Sequence, residues 1–388
     1  MLCKSSEFQV ITMSALRLPK IYAIVLLFFG LVFIFSGLVI SFLLLCSLVL
    51  WPLNRKFYRK VNYPLTYFFW SQLVFLLERW SGSECTLFTD QESADKIGKE
   101  KAIIILNHTF EIDLLCFLTL CERYGMLGSS KVLAKKELLY FPVMGWVCYF
   151  QEDIFCKRKW EEDKQELFKG LNRIADYQGP LGFLVCCEGT RFTQEKHRIS
   201  MQVAKSKGLP KLKYHLLPRT KGFTSIVQRL RGKAFALYDV TLNFRGCQNP
   251  SLLGLIGREK YQVDMYLRRI PLEEIPLDDD EIAKWLHKLY QEKDALQELY
   301  NEKGIFPGER IKPSRRPWAL LNFFFWATAT LYSLFKLTSG VLLSGSPLLT
   351  LIFIGILGGA FFEIQKLVGL TEIRKGSTYG NQEFQKKE

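Results

Sequence analysis

Histidine is scarce in this chain, with only four in 388 residues. Few positions can therefore supply a base that works near neutral pH. No two of the ten cysteines form a CxxC pair, and several, such as Cys46, Cys148, Cys186 and Cys187, sit in apolar stretches. That pattern argues against a zinc site or a disulfide framework and for reduced, buried thiols. GxSxG does not occur, which removes the serine elbow of the α/β-hydrolases. Internal repeats, low-complexity segments and nucleic-acid-binding motifs are also absent. The formal net charge of +14 therefore points to anionic lipid or phosphate-bearing ligands rather than to DNA or RNA. No cluster of ligating residues suggests a metal.

Charge itself is missing from Ile21 to Trp51. As a helix this run would measure about 46 Å, more than a bilayer core requires. It is too long for a signal peptide and has no clean cleavage site, so it reads as a retained anchor, either one tilted span or a hairpin dipping into one leaflet. Arg55, Lys56, Arg59 and Lys60 follow, and by the positive-inside rule the downstream domain faces the cytosol. Tyr63–Trp80 is rich in aromatics and leucine and reads either as an interfacial helix or as a core helix. A second apolar region, Trp318–Phe335 and Val341–Phe362, reads as a membrane hairpin that returns the tail, with Arg374 and Lys375, to the cytosol.

Between these regions the composition is that of an ordinary α/β domain. Expected strands are Ala102–Leu106, Gly182–Cys187, Tyr214–Leu217, Phe235–Phe244 and Gln262–Arg268, with helical stretches such as Trp160–Tyr177 between them. Ile282, Trp285, Leu286, Leu289, Tyr290, Leu296 and Leu299 keep helical spacing and read as a core-facing stripe. The expected organisation is an N-terminal anchor (1–62), an α/β domain (63–308), a basic linker (309–317), C-terminal membrane helices (318–362) and a polar tail (363–388).

The stretch most suggestive of chemistry is Asn107-His108-Thr109-Phe110-Glu111-Ile112-Asp113. His108 follows a short β-branched run, so it is delivered at a strand end, where loops usually carry function. Five residues of continuous helix would turn Asp113 away from it. The two meet only if His108 lies in the turn and Asp113 in the helix that follows. An imidazole braced by a carboxylate is a general base with a fixed tautomer; on the residues alone, a core histidine with an exposed aspartate is equally open. Asn107-His108-Thr109 is also a glycosylation sequon, one that stays bare if the domain is cytosolic.

This NHxxxxD pattern resembles the glycerolipid acyltransferases. Three further blocks follow in that family's order: Lys135–Arg158, Glu188–Arg191 and Leu216–Lys221. Together they resemble the 1-acyl-sn-glycerol-3-phosphate (lysophosphatidic acid) acyltransferases, nearest the gamma/delta branch, over almost the whole chain. The resemblance implies a glycerolipid acyltransferase-type α/β domain with N-terminal membrane helices and a C-terminal transmembrane hairpin. It implies His108 and Asp113 as the catalytic pair, with direct attack by the acceptor hydroxyl. Arg158 would hold the acceptor phosphate with Lys157 beside it, a task suited to a guanidinium fork. Glu188, Gly189, Thr190 and Arg191 would bind the acceptor, Glu188 by positioning it or bracing the arginine. Pro218 would edge the substrate site, with Arg219 and Lys221 near CoA phosphates. His197, His215 and His287 read as structural.

The implied reaction converts lysophosphatidic acid and acyl-CoA, the latter a co-substrate and not a resident cofactor, into phosphatidic acid. Its implied setting is the endoplasmic-reticulum membrane, with Golgi and nuclear envelope as further options and membrane lipids as surroundings. The terminal Lys386-Lys387-Glu388 is one place out of register with a di-lysine retrieval signal. An acyltransferase for another lysophospholipid and a catalytically silent membrane scaffold are the alternatives.

Overall fold

The computed structural model describes residues 20–247 and 249–371. Residues 1–19, Arg374, Lys375 and the terminal di-lysine lie outside them. Chain order gives α1 (Lys20–Ser47), α2 (Arg55–Phe75), β1 (Glu84–Thr89), β2 (Lys101–Leu106), α3 (Asp113–Arg123), β3 (Lys131–Lys135) and α4 (Met144–Phe150). There follow β4 (Ile154–Cys156), α5 (Trp160–Ala175), β5 (Leu181–Val185), α6 (Gln194–Ser206), α7 (Thr220–Leu230) and β6 (Ala236–Phe244). The last are β7 (Gln262–Pro271), α8 (Asp279–Lys303), β8 (Glu309–Ile311), α9 (Trp318–Leu343) and α10 (Pro347–Thr371).

Among the described residues eight strands form one sheet in the order β4-β3-β5-β2-β6-β7-β1-β8. Strands β2 to β6 run parallel to one another, β7 and β1 run against them, and β8 runs antiparallel to β1. Central β2 is apolar at nearly every position because both faces of a crossover-built sheet are covered. Ile103 and Ile105 pack under α5, α7 and α8, while Ile104 and Leu106 face the layer of α1, α2, α3 and α9. This is the two-residue alternation of a strand read on two apolar faces.

The Tyr63–Trp80 stretch resolves as a core helix: α2, continued by a π turn at Leu76–Trp80, buries Tyr67, Phe69, Trp70, Val74 and Phe75. It begins at Arg55 with Asn54 as its cap, so it runs through the boundary drawn at residue 62. Helix α1 lies against it, held by Ser36 with Gln72 and by the Ser47 hydroxyl donating to Asn62 Oδ1 (2.7 Å). Gly37 leaves a notch on α1 that Val143 fills. Val143 adopts φ +67°, a costly conformation for a β-branched residue. From the other end of the chain, Phe323 of α9 stacks on Phe75 at 3.9 Å between centroids.

Several expectations need correcting. Tyr214–Leu217 is an irregular loop, not a strand. Strands β1, β3, β4 and β8 are additional to the expected ones, and β8 takes residues expected in the linker. Lone strands of three to six residues carry little periodicity, and their pairing is non-local. The C-terminal hairpin turns at Ser344–Ser346, later than expected, where Gly345 at φ +60° and Pro347 end the helix; α10 then continues to Thr371, past the expected start of the tail. Among the described residues two helices, Tyr22–Ser47 and Trp318–Leu343, are long and apolar enough to cross a membrane, and Pro347–Phe362 is a shorter apolar stretch.

Candidate active site

Strand β2 ends at Leu106, and the Asn107 side chain extends its ladder to β6. Its Nδ2 donates to the Leu242 carbonyl (3.2 Å) and its Oδ1 accepts from the Leu242 amide (2.7 Å). Asn107 is buried and both ends of its amide are committed, so the sequon is closed in the folded protein. The chain then turns. Asp113 opens α3, where a carboxylate is favoured by the helix N-terminus. Its Oδ2 lies 3.1 Å from His108 Nδ1 and accepts the Thr109 and Phe110 amides at 2.7 and 2.8 Å. With Nδ1 donating to this buried carboxylate, Nε2 is the basic nitrogen. The His108 side chain keeps 27% of its exposure, against 2% for Asp113.

Glu188 stands just beyond β5 and points inward. Its Oε1 accepts the His108 amide (3.2 Å) and its Oε2 the Leu216 amide (3.3 Å), clamping the first and fourth sequence blocks together. Burial pushes its carboxyl up to about 8, against the pull of those two amides. Two hydrogen bonds of this carboxylate thus run to backbone amides. Gly189 follows at φ +71°, and a β-carbon there would fall 2.7 Å from Arg219 Nε. Glycine meets both demands, the left-handed turn and the close approach. Thr190 accepts from Lys196 Nζ at 2.9 Å. Pro218 is buried, and the next amide, of Arg219, donates to the Cys187 carbonyl (2.8 Å).

Arg158, at φ +67°, and Lys157 diverge. Lys157 pairs with Glu162 at 2.7 Å on an exposed surface, whereas Arg158 belongs to a group of cations. Desolvation and the charge of Arg219 lower Arg158 to about 10. Lys135 is lowered to about 8 by desolvation and by Arg158, Arg191 and Lys196. Lys196 is depressed in turn by burial, Arg158 and Arg191. Like charges gathered this closely repel one another, so the arrangement suits an anion that relieves them.

Lys135 and Lys196 are additions to the expected site residues. Lys135 opens the second block and was available to it; Lys196 acts from α6, with no local signal. Among the described residues no group of three or more His, Cys, Asp or Glu could hold a metal ion. Of the other histidines, His197 Nε2 bonds the Leu212 carbonyl (2.8 Å) and His215 Nδ1 lies 3.0 Å from Asp294 Oδ1.

The His108–Asp113 pair thus stands at the end of a central parallel strand, beside a cradle of cations. Residues 86–245 match the family model described as Acyltransferase, and residues 254–326 match that described as Acyltransferase C-terminus. The chain is 62% identical to human 1-acyl-sn-glycerol-3-phosphate acyltransferase gamma over 97% of its own length and 100% of the relative's. It is 54% identical to the human delta enzyme, over 93% of this chain and 96% of that one. The bovine delta enzyme is 52% identical over 97% and 99%. A looser likeness in shape, TM-score 0.42 at 16% identity, covers 72% of this chain and 97% of the 1-acyl-sn-glycerophosphate (LPA) acyltransferase from Thermotoga maritima. The chain belongs to the 1-acyl-sn-glycerol-3-phosphate acyltransferase family.

Proposed function

We propose that the chain transfers an acyl group from acyl-CoA to the sn-2 hydroxyl of lysophosphatidic acid, giving phosphatidic acid and free CoA. His108 Nε2 takes the hydroxyl proton as the oxygen attacks the thioester carbonyl. Asp113 supports the imidazolium, and its positive charge adjoins the oxyanion of the tetrahedral intermediate. Collapse breaks the C–S bond, and the imidazolium returns its proton to the CoA thiolate. A positioned base of this kind accelerates transfer by roughly 10²–10⁴-fold. Arg158 and Arg191, with Lys135 and Lys196, hold the acceptor phosphate, and Pro218 with Arg219 edges the acyl-CoA side.

The single observation carrying this reading is the 3.1 Å contact of His108 Nδ1 with Asp113, placed beside that cationic group. The enzyme works at the endoplasmic-reticulum membrane with its catalytic domain in the cytosol. The basic run Arg55–Lys60 supports that orientation, and the apolar helices would let a lipid acceptor reach the site from the leaflet. The test is CoA release by purified full-length protein across a panel of lysolipids and acyl-CoAs, with His108→Ala as control. Release that favours lysophosphatidylinositol over lysophosphatidic acid would overturn the acceptor, and full turnover by His108→Ala would overturn the base. Protease digestion of the domain in sealed microsomes checks the orientation.

A further inference from the structure

The loop that leads into the fourth block has no strand partner, yet its backbone donors are filled in succession. Asp294, on α8, takes the first three: the Lys213 amide at 2.6 Å on Oδ2, and the Tyr214 and His215 amides at 2.7 and 3.1 Å on Oδ1. The His215 ring adds a fourth contact at 3.0 Å. The Leu216 amide passes to Glu188, and the Leu217 amide to Ser200 Oγ at 2.8 Å. The loop then delivers Arg219, whose side chain lies over Gly189.

Asp294 has a firm base. Its neighbour Lys293 is wholly buried and reaches the sheet at Asp239 Oδ1 (2.6 Å), the Val240 carbonyl (2.8 Å) and Thr241 Oγ1 (3.1 Å). Consecutive residues of one helix thus grip β6, the neighbour of β2, and the loop. Burial works against charge on Asp294, but the His215 ring and the loop amides outweigh it and hold its carboxyl below the ordinary range. A charged acceptor shared by several amides is a strong, directional restraint.

We propose that Asp294 is a positioning residue for acyl transfer: by holding the Lys213–His215 backbone it fixes where Arg219 stands, and so how the cradle grips a phosphate on one of the two substrates. This rests on the acyl-transfer reading and assigns a task to a helix outside the four blocks. Asp294 itself touches no substrate.

The experiment is a double-mutant cycle on full-length protein in nanodiscs, with Asp294→Ala, Arg219→Ala and the pair. CoA release is measured against acceptor and against acyl-CoA separately, which tells whether the phosphate belongs to the lysolipid or to CoA. Each single substitution is expected to raise one KM about tenfold while kcat moves less than about threefold. The pair should be no worse than the more impaired single, because the second change removes a guanidinium already misplaced. Asp294→Asn, which keeps an acceptor oxygen and the side-chain shape, should recover part of the loss and serves in the cycle if the alanine variant does not fold. Glu298→Ala breaks only the exposed Lys213 pair and should leave both KM values unchanged. Multiplying effects in the double variant, or a lowered Tm with both KM values intact, would overturn the positioning role. Wild-type protein that releases no CoA with any lysolipid would overturn the acyl-transfer reading and this role together.

Discussion

Two histidine–aspartate pairs in this protein have nearly the same contact: Nδ1 to carboxylate, 3.1 Å for His108–Asp113 and 3.0 Å for His215–Asp294. Both carboxylates also collect backbone amides. The pairs differ in what the far side of the ring meets. His108 is 27% exposed beside a group of cations, whereas His215 is 3% exposed, and burial holds its pKa below the ordinary value. A braced imidazole is thus no sign of catalysis by itself. On the proposed mechanism, the exposure of the His108 ring and a place for a charged substrate make the difference.

The sharpest way to break this comparison is to remove each ring. His108→Ala should cut kcat by about 10³-fold with Tm nearly unchanged, read from CoA release and thermal unfolding. His215→Ala should instead cost about 1–3 kcal/mol of stability through the lost buried contact, with kcat falling less than about threefold. Asp113→Asn comes next, with a loss of about 10²-fold or more in kcat, because the neutral amide neither fixes the tautomer nor supports the imidazolium.

Smaller effects belong to the cradle. Arg158→Ala should raise the KM for lysophosphatidic acid about tenfold, as expected for a lost charge-assisted phosphate contact. Lys157→Ala should move it less than about threefold, since that ammonium is already paired with Glu162 and exposed pairs contribute little.

The mildest test concerns Glu188. Its folded pKa of about 8 lies above the unfolded value, so the native state holds more protons in between. Its contribution to stability is complete below the ordinary carboxylate range and is lost as pH rises toward 8. Tm should therefore decline over that window, and Glu188→Gln should flatten the decline.

The sequence makes legible what is local. A β-branched run ending in a histidine, then an aspartate at the start of a helix, specifies the β2–α3 turn within a dozen residues, and both apolar regions declare themselves by length. Tyr214–Leu217 misleads for a definite reason. It reads as a strand, but its donors are filled by Asp294, Glu188 and Ser200, none of them near in sequence. The direction of Glu188 was illegible on the same ground, because the amides it serves belong to two other blocks. Edge strand β8 depends on β1, more than two hundred residues earlier.

The notch at Gly37 has a practical consequence. Val143, strained in its backbone and seated in that notch, belongs to the segment between Lys135 and Arg158. The apolar helix α1 is therefore keyed to the α/β domain and is not an interchangeable tether. Cutting the chain after residue 54 to obtain a soluble enzyme would bare the flank of α2 and unseat that key, so a working protein must be prepared with its first helix in place.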